Sequence, residues 1–213
     1  MYDLKEFYKT DIYKKVIGDF DHVYEDPSSE SNKDWFKQTR VWDYQKITSI
    51  EPFYYIWKVQ QTANNKKVLD YGCGANFFKT YWPNIHGVDK LSFSDGSFFP
   101  LPDEISKDYI NTNKETFFGI IAICSLHFVE KDSIITYMNK LLDMLSSGCR
   151  AYMTFNTARI SEASNEPFSA HELGKVISTH YSHKDFKIIE IISREPMGFL
   201  GKDGNVKVLL EKV

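Results

Sequence analysis

Two glycines and two carboxylates in a short stretch carry the strongest chemical signal in this chain of 213 residues. The passage Val68-Leu69-Asp70-Tyr71-Gly72-Cys73-Gly74-Ala75-Asn76 reads as a short apolar strand that ends in an acid and runs into a turn of small residues. Gly72 and Gly74 lack a Cβ, so the backbone there can turn tightly and pass close to a ligand. A helical stretch expected over Phe77–Tyr81 would offer unpaired N–H groups to a carboxylate or phosphate. Asp70 can accept hydrogen bonds from an ammonium group, directly or through water. Ile85–Asp89 reads as a second strand ending in an acid, and Asp89 can accept from both hydroxyls of a ribose. In open α/β sheets, ligands sit at the carboxyl ends of the strands near the point where strand order reverses, and both acids fall there. A dinucleotide fingerprint needs a third glycine about three residues after the second, where this chain has Phe77, and it has no role for Asp70.

These residues need a sheet to position them. Phe118–Cys124 is a continuous Ile-rich apolar run, the pattern of a strand buried on both faces of a parallel sheet. Asp108–Asn111 is expected as a short third strand and Arg150–Asn156 as the strand after the fourth. Leu91–Pro102 is aromatic and rich in Gly, Ser and Pro, and reads as irregular. Asp132–Leu145 reads as an amphipathic helix closed by Gly148, with Ile134, Ile135, Met138, Leu141, Leu142 and Leu145 on one side. Ser169 and Glu172 have the spacing of a capping box for a helix over Ser169–Thr179. Two strand runs, Phe186–Ser193 and Asn205–Glu211, follow, joined by a turn through Gly198–Gly204. The pattern predicts an α/β fold: a Rossmann-like, doubly wound, mostly parallel seven-stranded sheet with a C-terminal antiparallel hairpin.

Ahead of the sheet the pattern is helical and aromatic. Leu4–Ile17 spaces Phe7, Tyr8, Ile12, Val16 and Ile17 for one helical face. Glu25–Lys33 is polar and turn-rich, and further helices are expected over Trp35–Ile47 and Pro52–Thr62. The chain is therefore divided into an N-terminal helical cap or substrate lid, residues 1–65, and an α/β domain, residues 66–213.

At the residues quoted above the sequence resembles the class I S-adenosylmethionine-dependent methyltransferases. VLDYGCGAN resembles their first motif and HGVD their second. FFGIIAICSLHFVE resembles their fourth strand with its catalytic-side loop, and MLSSGCRAYMTFN the helix-to-strand turn that usually reads Leu-x-x-Gly-Gly. The similarity covers about residues 66–213. It implies S-adenosylmethionine as cofactor, with Gly72, Cys73 and Gly74 wrapping the methionine moiety and Asp70 holding its ammonium. Asp89 would take the ribose hydroxyls, Lys90 and Leu91 would flank the adenine, and Asn111 would stand where the third strand usually places an acid near adenine N6. Ser125, in the loop after the fourth strand, joins the cofactor contacts. Two positions depart from the family pattern. Asn76 replaces the usual third glycine, although Asn tolerates positive φ, and Cys149 replaces a glycine in the later motif.

Methyl transfer from a sulfonium is an in-line displacement on an activated electrophile, so the protein mainly supplies proximity and alignment. A base matters only where the nucleophile carries a proton of high pKa. His127, in the segment Ser125–Phe128, is the candidate base, and packing against the cofactor is the alternative. Arg40 can hold an anion, and Trp42 and Tyr44 can stack on substrate or sulfonium; packing on the sheet and a solvated Arg40 are the alternatives. The loop lacks the Asn/Asp-Pro-Pro-aromatic signature of amino methyltransferases acting on DNA bases. The expected acceptor is a small molecule. An RNA or DNA methyltransferase and a non-catalytic cofactor-binding subunit are the alternatives. His180-x-x-His183 lacks a third ligand nearby, so no metal is expected.

Composition sets the outer bounds. The chain is 42% hydrophobic and 26% charged with a net charge of -3, which lacks the basic surplus of most phosphate-gripping domains. Its aromatic share of 15% is high enough to line a pocket for a flat or cationic ligand. The three cysteines, Cys73, Cys124 and Cys149, are odd in number and lack zinc-ligand spacing, which points to a reducing compartment. No signal peptide and no membrane-spanning run are expected, so a cytoplasmic protein with no membrane partner is the sequence reading. Composition does not specify an oligomeric state.

Overall fold

In the Ile- and Val-rich runs, successive side chains point to opposite faces of a sheet, so each run can serve two cores at once. The computed structural model describes residues 4–16, 51–73, 77–89, 99–100, 112–123, 125–126, 130–157, 160–161, 168–182, 185–194 and 204–213. Its strands are β1 (Val68–Tyr71), β2 (Ile85–Asp89), β3 (Phe99–Pro100), β4 (Phe117–Ile123), β5 (Leu145–Asn156), β6 (Phe186–Arg194) and β7 (Asn205–Lys212). Six of them are full strands, and β3 is a two-residue pairing on the outer side of β2. The order is β3-β2-β1-β4-β5-β7-β6. β1 runs parallel to β2 and β4, and β4 parallel to β5, whereas β7 runs antiparallel to both β5 and β6. The order thus turns at β1, with later strands laid on either side of it.

Alternation divides the buried residues. Leu69, Ile120, Ala151 and Leu210 face helices α2 (Ile134–Asp143) and α3 (Ala170–Tyr181). Their neighbours Val68, Ile121, Tyr152 and Leu209 face helix α1 (Glu51–Ala63). α1 lies along its face from the carboxyl to the amino ends of the parallel strands. Glu51 meets Lys207, which pairs with Thr154 near the end of β5. Tyr55 stacks on Tyr152 with centroids 4.4 Å apart and planes at 11°, and its hydroxyl donates to Glu190 at 3.0 Å. At the far end Arg150 donates to the Lys58 carbonyl at 3.3 Å and to Glu211 at 2.8 Å. Gly119 permits the close crossing: a Cβ there would lie 2.5 Å from Val59 Cγ1 and 3.0 Å from Val68 Cγ2.

Several elements differ from the sequence expectation. The single helix expected over Leu4–Ile17 is a 3-10 turn, Phe7–Lys9, followed by α-helix at residues 11–16. Thr10 causes the break: it is extended, and its hydroxyl accepts from the Tyr13 N–H at 3.1 Å as a cap for the second piece. The helix after β1 is 3-10 rather than α, Phe77–Thr80. Gly148 does not close the helix before it. α2 ends at Asp143, and Gly148 (φ 74°) lies inside β5, where the register against β4 shifts between Phe117 and Gly119. The strand pairing with β2 is Phe99–Pro100, from the segment expected to be irregular. The expected strand Asp108–Asn111 and the expected helix Trp35–Ile47 lie outside the described residues. The capping box forms as spaced, with Ser169 accepting from the Glu172 N–H at 3.1 Å. Among the described residues, no helix is long and apolar enough to cross a membrane.

Replacing Gly119 with Ala is expected to lower unfolding stability by about 1–3 kcal/mol through overpacking against Val59 and Val68. Urea denaturation followed by circular dichroism measures it, and an unchanged midpoint would refute the close crossing.

Candidate functional site

The turn at β1 leaves a seam where β1 and β4 continue past their shared register, Asp70 opposite Ile121. Asp70 sits at the carboxyl end of β1 and is only 3% exposed. A carboxylate this deep is costly unless polar groups surround it, so it marks a polar spot at the strand end rather than a solvated surface. The chain then turns through Gly72 at φ 72°, a conformation glycine adopts without penalty. The Gly72 and Cys73 N–H groups both donate to the Val88 carbonyl of β2, at 2.7 and 3.3 Å. This shared acceptor ties the turn to the second strand, beside Asp89, the last residue of β2.

Across the seam stands Ser125, two residues beyond the end of β4. A Cβ on Gly72 would lie 2.3 Å from Ser125 Cβ and 3.2 Å from its Oγ. The Ser125 hydroxyl is buried and has no hydrogen-bond partner among the described residues. Leaving such a group unsatisfied costs about 1–3 kcal/mol, which a polar ligand group beside it would recover. A buried acid, a bare backbone turn and an unsatisfied hydroxyl therefore converge at one strand edge. This donor set fits a ligand that carries an ammonium group: the acid suits the cation, and the glycine turn lets backbone approach it.

The structure brings together Asp70, Gly72, Cys73 and Ser125 of the residues singled out by sequence, with the backbone of Asp89 next to them. Gly74, Asn76, Lys90, Leu91, Asn111 and His127 lie outside the described residues, as do Arg40, Trp42 and Tyr44. Because Phe99–Pro100 pairs with β2, the first acid in sequence after the third-strand pairing is Asp103, upstream of Asn111. The Val88 carbonyl and the Gly72–Ser125 contact were not readable from sequence, since both depend on register between strands distant in the chain.

Other titratable groups have structural surroundings. Burial pushes the Cys149 thiol up, opposed by Lys66 and reinforced by Glu211. His86 is shifted down by burial and by the cations Lys67 and Lys79. His180 accepts from the Asn139 side chain at 3.4 Å and packs edge-on against Tyr181; His183 lies outside the described residues. Among the described residues, no cluster of His, Cys, Asp and Glu could hold a metal.

Comparison with known proteins identifies the fold. No protein-family model matches the sequence, and no curated protein matches it significantly. Solved structures do. A SAM-dependent methyltransferase from Archaeoglobus fulgidus superposes with a TM-score of 0.51 at 12% identity, covering 79% of this chain and 97% of that one. The 1,6-didemethyltoxoflavin-N1-methyltransferase of Burkholderia thailandensis, solved with its substrate and S-adenosylhomocysteine, superposes with a TM-score of 0.51 at 15% identity, covering 94% and 89%. A Streptococcus mutans protein assigned as a SAM-dependent methyltransferase gives a TM-score of 0.49 at 13% identity over 75% of this chain, which spans 47% of that protein's length. The chain has the α/β fold of class I S-adenosylmethionine-dependent methyltransferases.

Replacing Gly72 with Ala is expected to destabilise the protein through two separable effects. The left-handed backbone costs about 1–2 kcal/mol for a residue with a Cβ, and the clash with Ser125 adds to it. In a double-mutant cycle, Ser125→Gly should relieve the clash and leave the backbone cost, giving a coupling of about 0.5–3 kcal/mol. Additive effects would mean that the two residues do not touch.

Proposed function

We propose that this protein is an S-adenosylmethionine-dependent methyltransferase acting on a small molecule. One observation carries the reading: buried Asp70 and the Gly72 turn face the unsatisfied Ser125 hydroxyl across the seam where strand order turns. The shared fold and the S-adenosylhomocysteine in the Burkholderia thailandensis enzyme support the choice of cofactor.

Asp70 would hold the ammonium of the methionine end. The Gly72 and Cys73 backbone would bend around that moiety with Gly74, and Asp89 would take the ribose hydroxyls. Lys90 and Leu91 would flank the adenine. At its amino group we keep Asn111 and add Asp103, which follows the β3 pairing more closely. We take Phe99–Pro100 as the stub of a full seventh strand. When bound, the cofactor supplies a methyl group already activated by a sulfonium. What remains for the protein is alignment of the acceptor and, for a protonated nucleophile, removal of a proton. His127, two residues after Ser125, is the proposed base.

The acceptor reading rests on charge and on the N-terminal region. The chain carries a net charge of -3, which disfavours a phosphate-tracking surface. The Burkholderia thailandensis enzyme is named for N1-methylation of 1,6-didemethyltoxoflavin and holds that molecule bound, which fits this reading. We keep the N-terminal cap bearing Arg40, Trp42 and Tyr44 as the proposed substrate-side element.

Calorimetric titration with S-adenosylmethionine is expected to give saturable binding, and Asp70→Asn should weaken it about 10- to 100-fold, as for loss of a charge-assisted hydrogen bond. Absence of binding by the wild type would overturn the cofactor. Incubating cell extract with labelled cofactor should place label in the small-molecule fraction; label confined to nucleic acid would overturn the acceptor class. Cofactor should also slow alkylation of half-buried Cys73. Cys149 should react about tenfold or more slowly than Cys73 with or without cofactor, because its thiol is buried and shifted up. Peptide mass mapping separates the two sites.

A further inference from the structure

The 3-10 turn Phe77–Thr80 begins four residues after Cys73 and is too short to hold its own position. The Tyr81 and Trp82 N–H groups share the Phe78 carbonyl, both at 3.0 Å, and Ile85 donates back to the Trp82 carbonyl as β2 begins. A run of this length makes few hydrogen bonds, with poorer geometry than those of an α-helix. Where it sits therefore depends on what packs against it.

Two supports hold it. On one side Phe53 of α1 meets Phe78, Tyr81 and Trp82, with ring centroids 5.6, 5.1 and 6.4 Å away. At its carboxyl end, Lys15 donates from Nζ to the Thr80 carbonyl at 2.9 Å and lies over the Tyr81 ring, 5.0 Å from its centre. Lysine side chains near the end of a helical turn bond carbonyls that lack partners within the turn. The segment that carries Lys15 is itself fixed. Phe7 is buried against Tyr54 and Trp57 of α1, at 5.9 and 5.4 Å, and Val16 is buried in the same cluster as Phe78 and Tyr81. Thr10 caps the short helix that leads to Lys15. The Lys15 backbone is thus set by its neighbours, and its side chain reaches a partner 65 residues away in sequence.

We infer that Lys15 is a positioning residue for the cofactor turn, acting through the 3-10 turn Phe77–Thr80. The inference rests on the methyltransferase reading and adds a residue to that site from the N-terminal segment. The chain between β1 and β2 leaves from one anchor and arrives at another. Gly72 and Cys73 are tied to the Val88 carbonyl, and Phe78 is packed on Phe53. Lys15 clamps the second anchor from outside. A single exposed lysine contact contributes little to folding. Its effect falls on the fraction of molecules whose turn is in the binding-ready arrangement, which scales the apparent affinity directly.

The test compares Lys15→Met, which keeps an apolar side chain and removes the charge, with Lys15→Arg and with Lys14→Met. Lys14 is a neighbouring lysine that pairs with Asp11 within its own helix. The first readout is alkylation of the cofactor-free protein, followed by peptide mass mapping. Lys15→Met should speed alkylation of half-buried Cys73 about threefold or more, with buried Cys149 unchanged as the internal reference. The second is calorimetric titration with S-adenosylhomocysteine. Lys15→Met should weaken binding about 3- to 10-fold, as for loss of one charged contact and one cation–π contact. Lys15→Arg should restore both readouts to within about twofold, and Lys14→Met should leave both at wild-type values. An unchanged Cys73 rate would overturn the inference, as would equal acceleration of Cys73 and Cys149, which marks general loosening of the fold. If Lys15→Met speeds Cys73 alone and the wild type does not bind S-adenosylhomocysteine, the clamp stands and the cofactor reading fails. If the wild type binds it and Lys15→Met binds it equally well, the cofactor reading stands and the positioning role fails.

Discussion

The missing side chain at Gly72 is the constraint around which the ligand edge is built. β1 and β4 can stay adjacent to their carboxyl ends only if nothing projects from Gly72 toward Ser125, since a Cβ there would overlap Ser125 Cβ at 2.3 Å. The same residue must also turn the chain away from the sheet at φ 72°. Both demands select glycine, one by volume and one by backbone angle. At the turn the Val88 carbonyl accepts from the Gly72 and Cys73 N–H groups, and Asp89 lies two residues beyond Gly87, the register partner of Asp70.

Helix α1 imposes a second requirement from the opposite direction. It begins in a charge pair at the carboxyl edge, crosses the aromatic middle of the face and ends beside the Arg150–Glu211 pair at the amino edge. Gly119 brings it close enough for Val59 to touch the sheet. The helix that closes one core also delivers Glu51 to the carboxyl edge, where it pairs with Lys207 of β7.

Charge on this protein is local rather than global. A net charge of -3 disfavours a broad electrostatic surface for nucleic acid. It does not describe the carboxyl edge, where a buried carboxylate at Asp70 and the Glu51–Lys207 ion pair lie on the same face.

Residue type and local spacing determined much of this by themselves. The strand at 117–123 was legible as a run of buried apolar residues, those at 68–71 and 85–89 as short segments with apolar residues and an acid near the carboxyl end, and the turn at Gly72 because glycine tolerates its backbone. The capping box at Ser169 was legible for the same reason, as its partners are three residues apart. Where neighbours in space are distant in sequence, local pattern was silent or misleading. Gly148 looked like a helix end and proved to be a strand irregularity, because pairing with β4 overrode local preference. The third strand formed at Phe99–Pro100 within a stretch that reads as irregular, because β2 offers its edge there. The contact of Gly72 with Ser125, and the meeting of Glu51, Lys207 and Arg194, join elements from 53 to 156 residues apart. Sequence thus determined which residues could do chemistry. Tertiary structure, through hydrogen-bonded strand register and the packing of α1 on the sheet, decided which of them meet.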